Sequence, residues 1–234
     1  GVFHDGILYL DHTYTVSTFM KDIDGVTDYF DSFGQALRIK KVTLEGDKIT
    51  TEIDLIDREY DGNGRILRTR TETNESDTTG LVLDHTFISE SEITSYNDLG
   101  QILRTLRTTI DGTSTVIESD TQDKTYDTDG LLRTSSSQST NQSIDANGTR
   151  YGTDVNSNGT IEDDELFMNS TTETSSTYND FGQVQRSNRV TVNRNITTEE
   201  TDLVDRNYDI NGRLAYSKTE THEVDSTGLL LDYT

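Results

Sequence analysis

An aromatic residue followed by Asp or Asn, two variable residues and Gly occurs six times in this chain, and that recurrence constrains the fold more than any other feature. The copies are Phe30-Asp31 to Gly34, Tyr60-Asp61 to Gly64, Tyr96-Asn97 to Gly100, Tyr126-Asp127 to Gly130, Tyr178-Asn179 to Gly182 and Tyr208-Asp209 to Gly212. Successive aromatic positions are 30, 36, 30, 52 and 30 residues apart. Corners at such intervals imply a stack of similar supersecondary units that bury surface against their neighbours. Asp-x-x-Gly suits a type I turn closed by glycine. About midway between corners stand Gly46-Asp47, Asp111-Gly112 and Asn193-Arg194-Asn195, which suit two-residue hairpin loops. Strands of roughly 11–13 residues are expected between the turns.

A longer period lies above the short one. Residues 31–86 overlay residues 179–234 without a gap at a shift of 148, and 28 of the 56 aligned pairs are identical. Asp57-Arg58-Glu59-Tyr60-Asp61 meets Asp205-Arg206-Asn207-Tyr208-Asp209. The expected organisation is a partial repeat with a hairpin at 1–29, hairpin repeats at 30–148, an insertion at 149–177 and a second, truncated copy of the long repeat at 178–234. Gly1 reads as an interior cut, and the stretch as a window on a longer array.

Composition says what the strands are made of. Proline is absent, as it is from ladders that need every backbone N–H, while 39 threonines and 11 tyrosines favour a half-wet pleated surface. In Arg65 to Thr73, Leu67, Thr69, Thr71 and Thr73 form one semi-apolar face, and Ile66, Arg68, Arg70 and Glu72 form a charged one. Hydrophobic residues make up only 30% of the chain and mean hydropathy is −0.70, which excludes a thick core. Cross-strand pairs contribute roughly 0.2–1 kcal/mol each, so stability has to accumulate over many strands. The fold class is therefore all-β, a repetitive antiparallel β-hairpin array forming an extended sheet able to curl.

Forty-three acidic against 20 basic side chains leave a net charge of −23. A chain so anionic repels phosphate backbones and anionic membrane surfaces, so nucleic acid is excluded as a partner. No apolar run approaches the roughly 18 residues of a membrane helix. The absence of cysteine removes thiol nucleophiles, thiolate metal sites and disulfides.

Arg58-Glu59-Tyr60-Asp61-Gly62-Asn63-Gly64-Arg65-Ile66 and Arg206-Asn207-Tyr208-Asp209-Ile210-Asn211-Gly212-Arg213-Leu214 resemble the tyrosine–aspartate (YD) repeat of rearrangement-hotspot (Rhs) proteins, toxin-complex shells, wall-associated proteins and teneurins. The resemblance covers about residues 28–234. It implies hairpins laid side by side into a continuous, often hollow, spiralling sheet. Gln35, Gln101 and Gln183, and Leu131, stand where those two copies carry Arg65 and Arg213.

Inside the 52-residue gap, Asp154-Val155-Asn156-Ser157-Asn158-Gly159-Thr160-Ile161-Glu162-Asp163-Asp164-Glu165 matches the twelve-position calcium loop of EF-hands and dockerins. Asp154, Asn156 and Asn158, the Thr160 carbonyl, Glu162 through water and bidentate Glu165 supply hard oxygen ligands, and Gly159 permits the sharp turn. Calcium is the expected cofactor, bound more weakly than in intracellular buffer sites because only three of the ligand side chains are carboxylates. Asp22-Ile23-Asp24-Gly25 with Asp28 is a poorer candidate, better read as an exposed turn. Calcium at either place would act structurally, offsetting self-repulsion of the chain.

Catalysis is not expected. His4, His12, His85 and His222 are scattered, and adjacent strand residues face opposite ways, so Asp84 cannot orient His85. Paired carboxylates arise by chance in so acidic a chain, and without Trp no sugar-binding cleft is signalled. Asn-x-Ser/Thr sequons such as Asn74-Glu75-Ser76 allow surface glycosylation. The sequence reads as a non-catalytic structural segment of a large extracellular or surface-displayed bacterial protein, building a calcium-stabilised fibre, tube or wall. Its partners are copies of itself or further repeats of the same chain, and about ten strands per long repeat would advance it on the order of 50 Å. The alternatives are part of a hollow shell enclosing toxin cargo and a calcium-dependent adhesion module for cell-surface glycans.

Overall fold

The structure, a computed structural model, describes residues 2–4, 7–9, 13–19, 29–77 and 84–234. They form an antiparallel sheet of 15 strands that does not close on itself, with two additional two-stranded ribbons. The all-β hairpin array expected from the repeats is what the chain adopts. Among the described residues the one helical segment is a single 3₁₀ turn at Asp163–Glu165. The weaker acidic candidate, Asp22 to Asp28, lies outside the described residues.

Two compact units are present, residues 1–92 with 109–112, and residues 93–108 with 113–234. In the first, β1 (Val2–His4) pairs with β2 (Ile7–Tyr9), and β3 (Thr13–Phe19) leads the ladder through β4 (Ile39–Glu45) and β5 (Lys48–Asp54). Next to β5 runs β7 (Ile66–Asp77), which also pairs with the short β6 (Glu59–Tyr60) and with β8 (Asp84–Tyr96). The second unit carries β10 (Ser114–Asp120), which follows β9 (Ile102–Asp111), then β11 (Thr125–Tyr126), β12 (Leu132–Gln142), β13 (Asn169–Tyr178), β14 (Val184–Asn193) and β15 (Ile196–Asp202). It ends with the ribbon β16 (Asn207–Tyr208) and β17 (Leu214–Tyr216), then β18 (Thr219–Asp225) and β19 (Leu230–Tyr233). Its ladder runs β10-β12-β13-β14-β15-β18-β19. Strands β7, β8 and β12 have 12, 13 and 11 residues, whereas β4, β5, β10 and β15 have seven.

All six aromatic-Asp/Asn-x-x-Gly segments are hairpin corners with one hydrogen-bond scheme. At Asp61 the Gly64 N–H donates to the Asp61 carbonyl at 3.0 Å, while Asp61 Oδ1 accepts the N–H groups of Asn63 and Arg65, each at 2.9 Å. Gly64 closes the turn at φ +81°, the left-handed region that favours glycine, and one extra residue bulges the ladder beside Tyr60. Two more corners share the scheme without an aromatic, Ile144-Asp145 to Gly148 and Val224-Asp225 to Gly228. Asp or Asn and Gly therefore make the corner, and the aromatic serves another purpose.

That purpose is seen in alternate copies. Tyr60, Tyr126 and Tyr208 donate their hydroxyls to the carbonyls of Ala36, Ile102 and Val184 at 2.7, 2.6 and 2.7 Å, each 24 residues back in the preceding hairpin. Gln101 and Gln183 reach forward, donating from Nε2 to the carbonyls of Gly130 and Gly212 at 3.2 and 3.4 Å. Where the fuller motif copies have arginine, these glutamines staple one corner to the next. A Cβ at Gly64 would lie 2.6 Å from Gln35 Nε2 and would push that side chain aside.

A carboxylate six residues before each of those tyrosines holds the unit together. Asp54 Oδ2 accepts the Ile39 N–H at 2.8 Å and Arg58 Nε at 2.7 Å, and its Oδ1 accepts the Thr71 hydroxyl at 3.1 Å. Asp202 repeats this with the Ser187 N–H at 2.8 Å, Arg206 Nε at 2.7 Å and the Thr219 hydroxyl at 3.1 Å. Asp120 takes the N–H and hydroxyl of Thr105, both at 2.8 Å, and Lys124 Nζ. A second ion pair accompanies each hub, Arg38 with Asp57, Arg104 with Asp123 and Arg186 with Asp205, at 2.7, 2.5 and 2.5 Å. Among the described residues Leu166 is the only buried hydrophobic, whereas Arg38, Asp54, Thr73, Ser143, Glu165 and Asp202 are buried polar groups. The fully buried positions among the described residues are therefore mainly polar.

The two-residue loops are Gly46-Asp47, Gly112-Thr113 and Arg194-Asn195, with left-handed φ of 58°, 55° and 53° at the first position only, the pattern of a type II′ turn. Asp111 thus ends β9, and the loop starts one residue later than Asp111-Gly112 suggested. His85 on β8 sits 2.9 Å from Asp111 Oδ1 through Nε2 and 3.9 Å from Glu75 Oε2, and the Asp111 hydrogen bond raises its pKa above the ordinary imidazole value.

Asp54→Ala and Asp202→Ala each strip a strand N–H and a paired arginine of their acceptor, and should each destabilise the chain by about 3 kcal/mol. The corresponding asparagine variants, which keep an acceptor, should cost less, and chemical-denaturation midpoints measure both. The turn carboxylates of Asp61 and Asp127 lie below the ordinary carboxylate value, held there chiefly by the N–H groups of Arg65 and Leu131. Their stabilisation is present above the ordinary carboxylate pKa and is lost as pH falls through the lowered one. The corner at Asn97 has no proton to gain. In acid the Leu131 amide should exchange faster than the Gln101 amide, and Asp127→Asn should remove the difference.

Candidate metal-binding loop

Between β12 and β13 the chain builds a separate small body from residues 143–168. It opens with the corner at Asp145, then residues 151–153 run against residues 165–167. The Gly152–Leu166 bridge, the Thr153 N–H to the Glu165 carbonyl at 3.0 Å and the Phe167 N–H to the Tyr151 carbonyl at 3.0 Å define that pairing. Strand β13 starts at Asn169, so residues 169–177 of the expected insertion lie in the sheet. The Ser143 N–H to the Met168 carbonyl, 2.9 Å, and the Met168 N–H to Ser143 Oγ, 2.8 Å, join the two ends of the body, and the Thr115 hydroxyl to the Ile144 carbonyl, 2.6 Å, ties it to β10. Leu166 is 0% exposed beneath it.

The twelve-residue loop occupies Asp154 to Glu165. Asp154 accepts the Asn158 N–H at 3.1 Å through Oδ1 and the Gly159 N–H at 2.8 Å through Oδ2. Asn156 Oδ1 accepts the Asn158 N–H at 3.0 Å, and Asn158 Oδ1 accepts the Thr160 N–H at 2.8 Å. Asn158 Nδ2 donates to Glu162 Oε1 at 3.2 Å. Glu165, only 8% exposed, reaches back across the whole loop. Its Oε1 accepts the N–H groups of Val155 and Asn156 at 2.9 and 3.3 Å, and its Oε2 accepts that of Glu162 at 3.0 Å. Direct bonds therefore join Asp154, Asn156, Asn158 and Thr160, join Asn158 with Glu162, and join Glu162 with Glu165.

Two left-handed residues shape this course, Gly159 at φ 83° and Ser157 at φ 57°. Gly159 was legible as the position of the sharp turn; Ser157 carried no signal of its own. Extended chain flanks the segment, entering through Thr153 and leaving through the single 3₁₀ turn into Leu166.

A carboxylate or amide oxygen that accepts one N–H retains a second lone pair for a cation, as Asp154, Asn156, Asn158 and Glu165 Oε2 do, whereas Glu165 Oε1 already accepts two. The donor set is wholly oxygen, which fits calcium rather than a softer metal. Among the described residues no three His, Asp or Glu side chains gather into a metal-holding group, so the structure does not bring the carboxylates of Asp154, Glu162 and Glu165 together as one ligand set.

Arg194 also belongs to this neighbourhood. Its Nη2 donates to the carbonyls of Leu166 and Phe167 at 3.2 and 3.3 Å. A side chain in the left-handed region costs roughly 1–2 kcal/mol relative to glycine. Sequence reasoning placed Arg194 in a turn but gave no sign that it touches the loop.

Gly152 is enclosed by the loop's exit: a Cβ there would lie 2.1 Å from the Glu165 carbonyl oxygen and 2.7 Å from Ile161 Cγ2. Gly152→Ala should open the 151–153/165–167 pairing and leave the β13–β14 ladder intact. Amide exchange would show lost protection at Thr153 and Phe167 with Thr171 and Val192 unchanged. Comparison of the chain with protein-family models, with curated protein sequences and with solved structures finds no match.

Proposed function

We propose that this chain is a structural segment of an extracellular or cell-surface repeat protein, a non-catalytic length of hairpin sheet stiffened by calcium. One observation carries the reading: the hub at Asp54, Asp120 and Asp202, its accompanying Arg–Asp pair and the Tyr60, Tyr126 and Tyr208 clamps occur at equivalent positions in successive repeats. Such a scheme fastens one hairpin to the next, and it extends as far as repeats are added. Sheets grown this way serve as fibres, tubes or walls, with other repeats or copies of the chain as their partners.

The YD-like corners support the same reading and leave room for a hollow shell around a toxin. A specific observation favours surface contacts of the kind an adhesion module makes. Phe33, Leu99 and Phe181, at the same place in alternate corners, are 86%, 79% and 83% exposed, whereas the intervening corners carry Asn63, Asp129 and Asn211 there.

Calcium in the loop would be held by Asp154, Asn156, Asn158, Thr160, Glu162 and Glu165, and would partly neutralise a chain of net charge −23. Isothermal calorimetry on the wild type should show saturable calcium binding, and Glu165→Ala should abolish most of the heat. Equal heats would remove calcium from the reading, while electron micrographs of longer arrays would test the fibre independently.

A further inference from the structure

We propose that Arg194 couples calcium binding in the 154–165 loop to closure of the β14–β15 hairpin, so that the metal organises the neighbouring sheet as well as its own loop. The inference rests on the calcium reading above. It starts from a substitution inside the repeat. Sixteen residues after each of the aromatic positions Phe30, Tyr96 and Tyr178 the chain makes its two-residue turn, and the first turn residue is Gly46, Gly112 and Arg194 respectively. The backbone is left-handed at all three, with φ 58°, 55° and 53°. Glycine takes that conformation freely; arginine does not. The third hairpin therefore has a turn that its own backbone disfavours, in the one repeat that follows the inserted body.

What holds the arginine in place is the insertion. Its guanidinium donates to two consecutive carbonyls, Leu166 at 3.2 Å and Phe167 at 3.3 Å. Those residues directly follow Glu165, the residue whose carboxylate closes the loop by accepting the N–H groups of Val155, Asn156 and Glu162. Leu166 cannot drift, because its side chain is fully buried and its backbone bridges Gly152. A cation drawing in Glu165 fixes the peptide units after it, and with them the two acceptors that Arg194 needs. The path from metal to turn is thus one carboxylate, two peptide units and one guanidinium. Linkage makes the effect reciprocal: if the filled loop favours the seated arginine, the seated arginine raises affinity for calcium by the same factor.

The test uses the whole chain, with calcium chloride as the probe and chelator as the blank, in wild type and Arg194→Gly. The variant restores the residue found in the other two turns and should fold, removing only the clamp. Two quantities are read: the calcium dissociation constant by calorimetry, and amide exchange at Asn193 and Ile196, the pair that closes the hairpin, with and without calcium. In the wild type, calcium should slow exchange at both amides several-fold. In Arg194→Gly the hairpin should persist, its exchange should no longer respond to calcium, and calcium should bind several-fold more weakly. Arg194→Lys, with one compact cation in place of the two-carbonyl fork, should fall between them. A wild type that binds calcium alongside an Arg194→Gly variant of equal affinity and equal calcium response would overturn the coupling and leave the loop reading intact. A wild type that binds no calcium would overturn both.

Discussion

A buried carboxylate that has three kinds of donor is the interaction on which this fold turns. Asp54 sits on β5 and satisfies at once an N–H of β4, a hydroxyl of β7 and the arginine four residues along its own chain. An ionised carboxylate taken out of water is costly unless fully paired, and these three donors are what make the position tolerable. Because the partners lie on the strands either side, satisfying the charge also fixes both neighbours in register. Where a larger globular protein sets register by burying an apolar face, this chain does so with polar bonds whose directions are strict. The hub recurs in full at Asp202, between β14 and β18, and in part at Asp120, whose strand donors are the N–H and hydroxyl of Thr105 on one side.

Much of this was legible in the sequence, because corners leave short, rigid signatures. Asp or Asn with Gly three residues later records a hydrogen-bond pattern and a left-handed backbone, and every such segment singled out is a corner. Tying the motif to its aromatic hid two further corners, since Ile144 and Val224 stand where Phe or Tyr was required. The aromatic and the corner are separate devices: tyrosine in alternate copies reaches a carbonyl 24 residues away, a contact no local pattern encodes. The hub was equally hidden. Aspartate is common throughout so acidic a chain, and only the fold shows that Asp54, Asp120 and Asp202 differ from the rest. Gln35, Gln101 and Gln183, which looked like departures from a motif, are a second periodic feature in their own right.

The loop between Asp154 and Glu165 owes its course largely to its own residues. Glu165 reaches back to the N–H groups of Val155 and Asn156, and extended chain and one 3₁₀ turn flank the segment. The loop's geometry comes from its own side chain to backbone bonds and from Leu166 beneath it, so it needs little from its flanks. What spacing could not convey was the contact with Arg194, because the carbonyls concerned belong to the backbone and leave no trace in residue type.

A fold with so little hydrocarbon inside should also have an unusual response to temperature. Heat capacity rises on unfolding mainly because apolar surface becomes hydrated, and exposure of polar groups works in the opposite direction. With Leu166 the only fully buried hydrophobic among the described residues, and the other apolar side chains half-buried or exposed, the apolar contribution is smaller than in a fold with a thick hydrocarbon core. The stability curve of such a sheet is shallow, and cooling weakens it less than it weakens a hydrocarbon core.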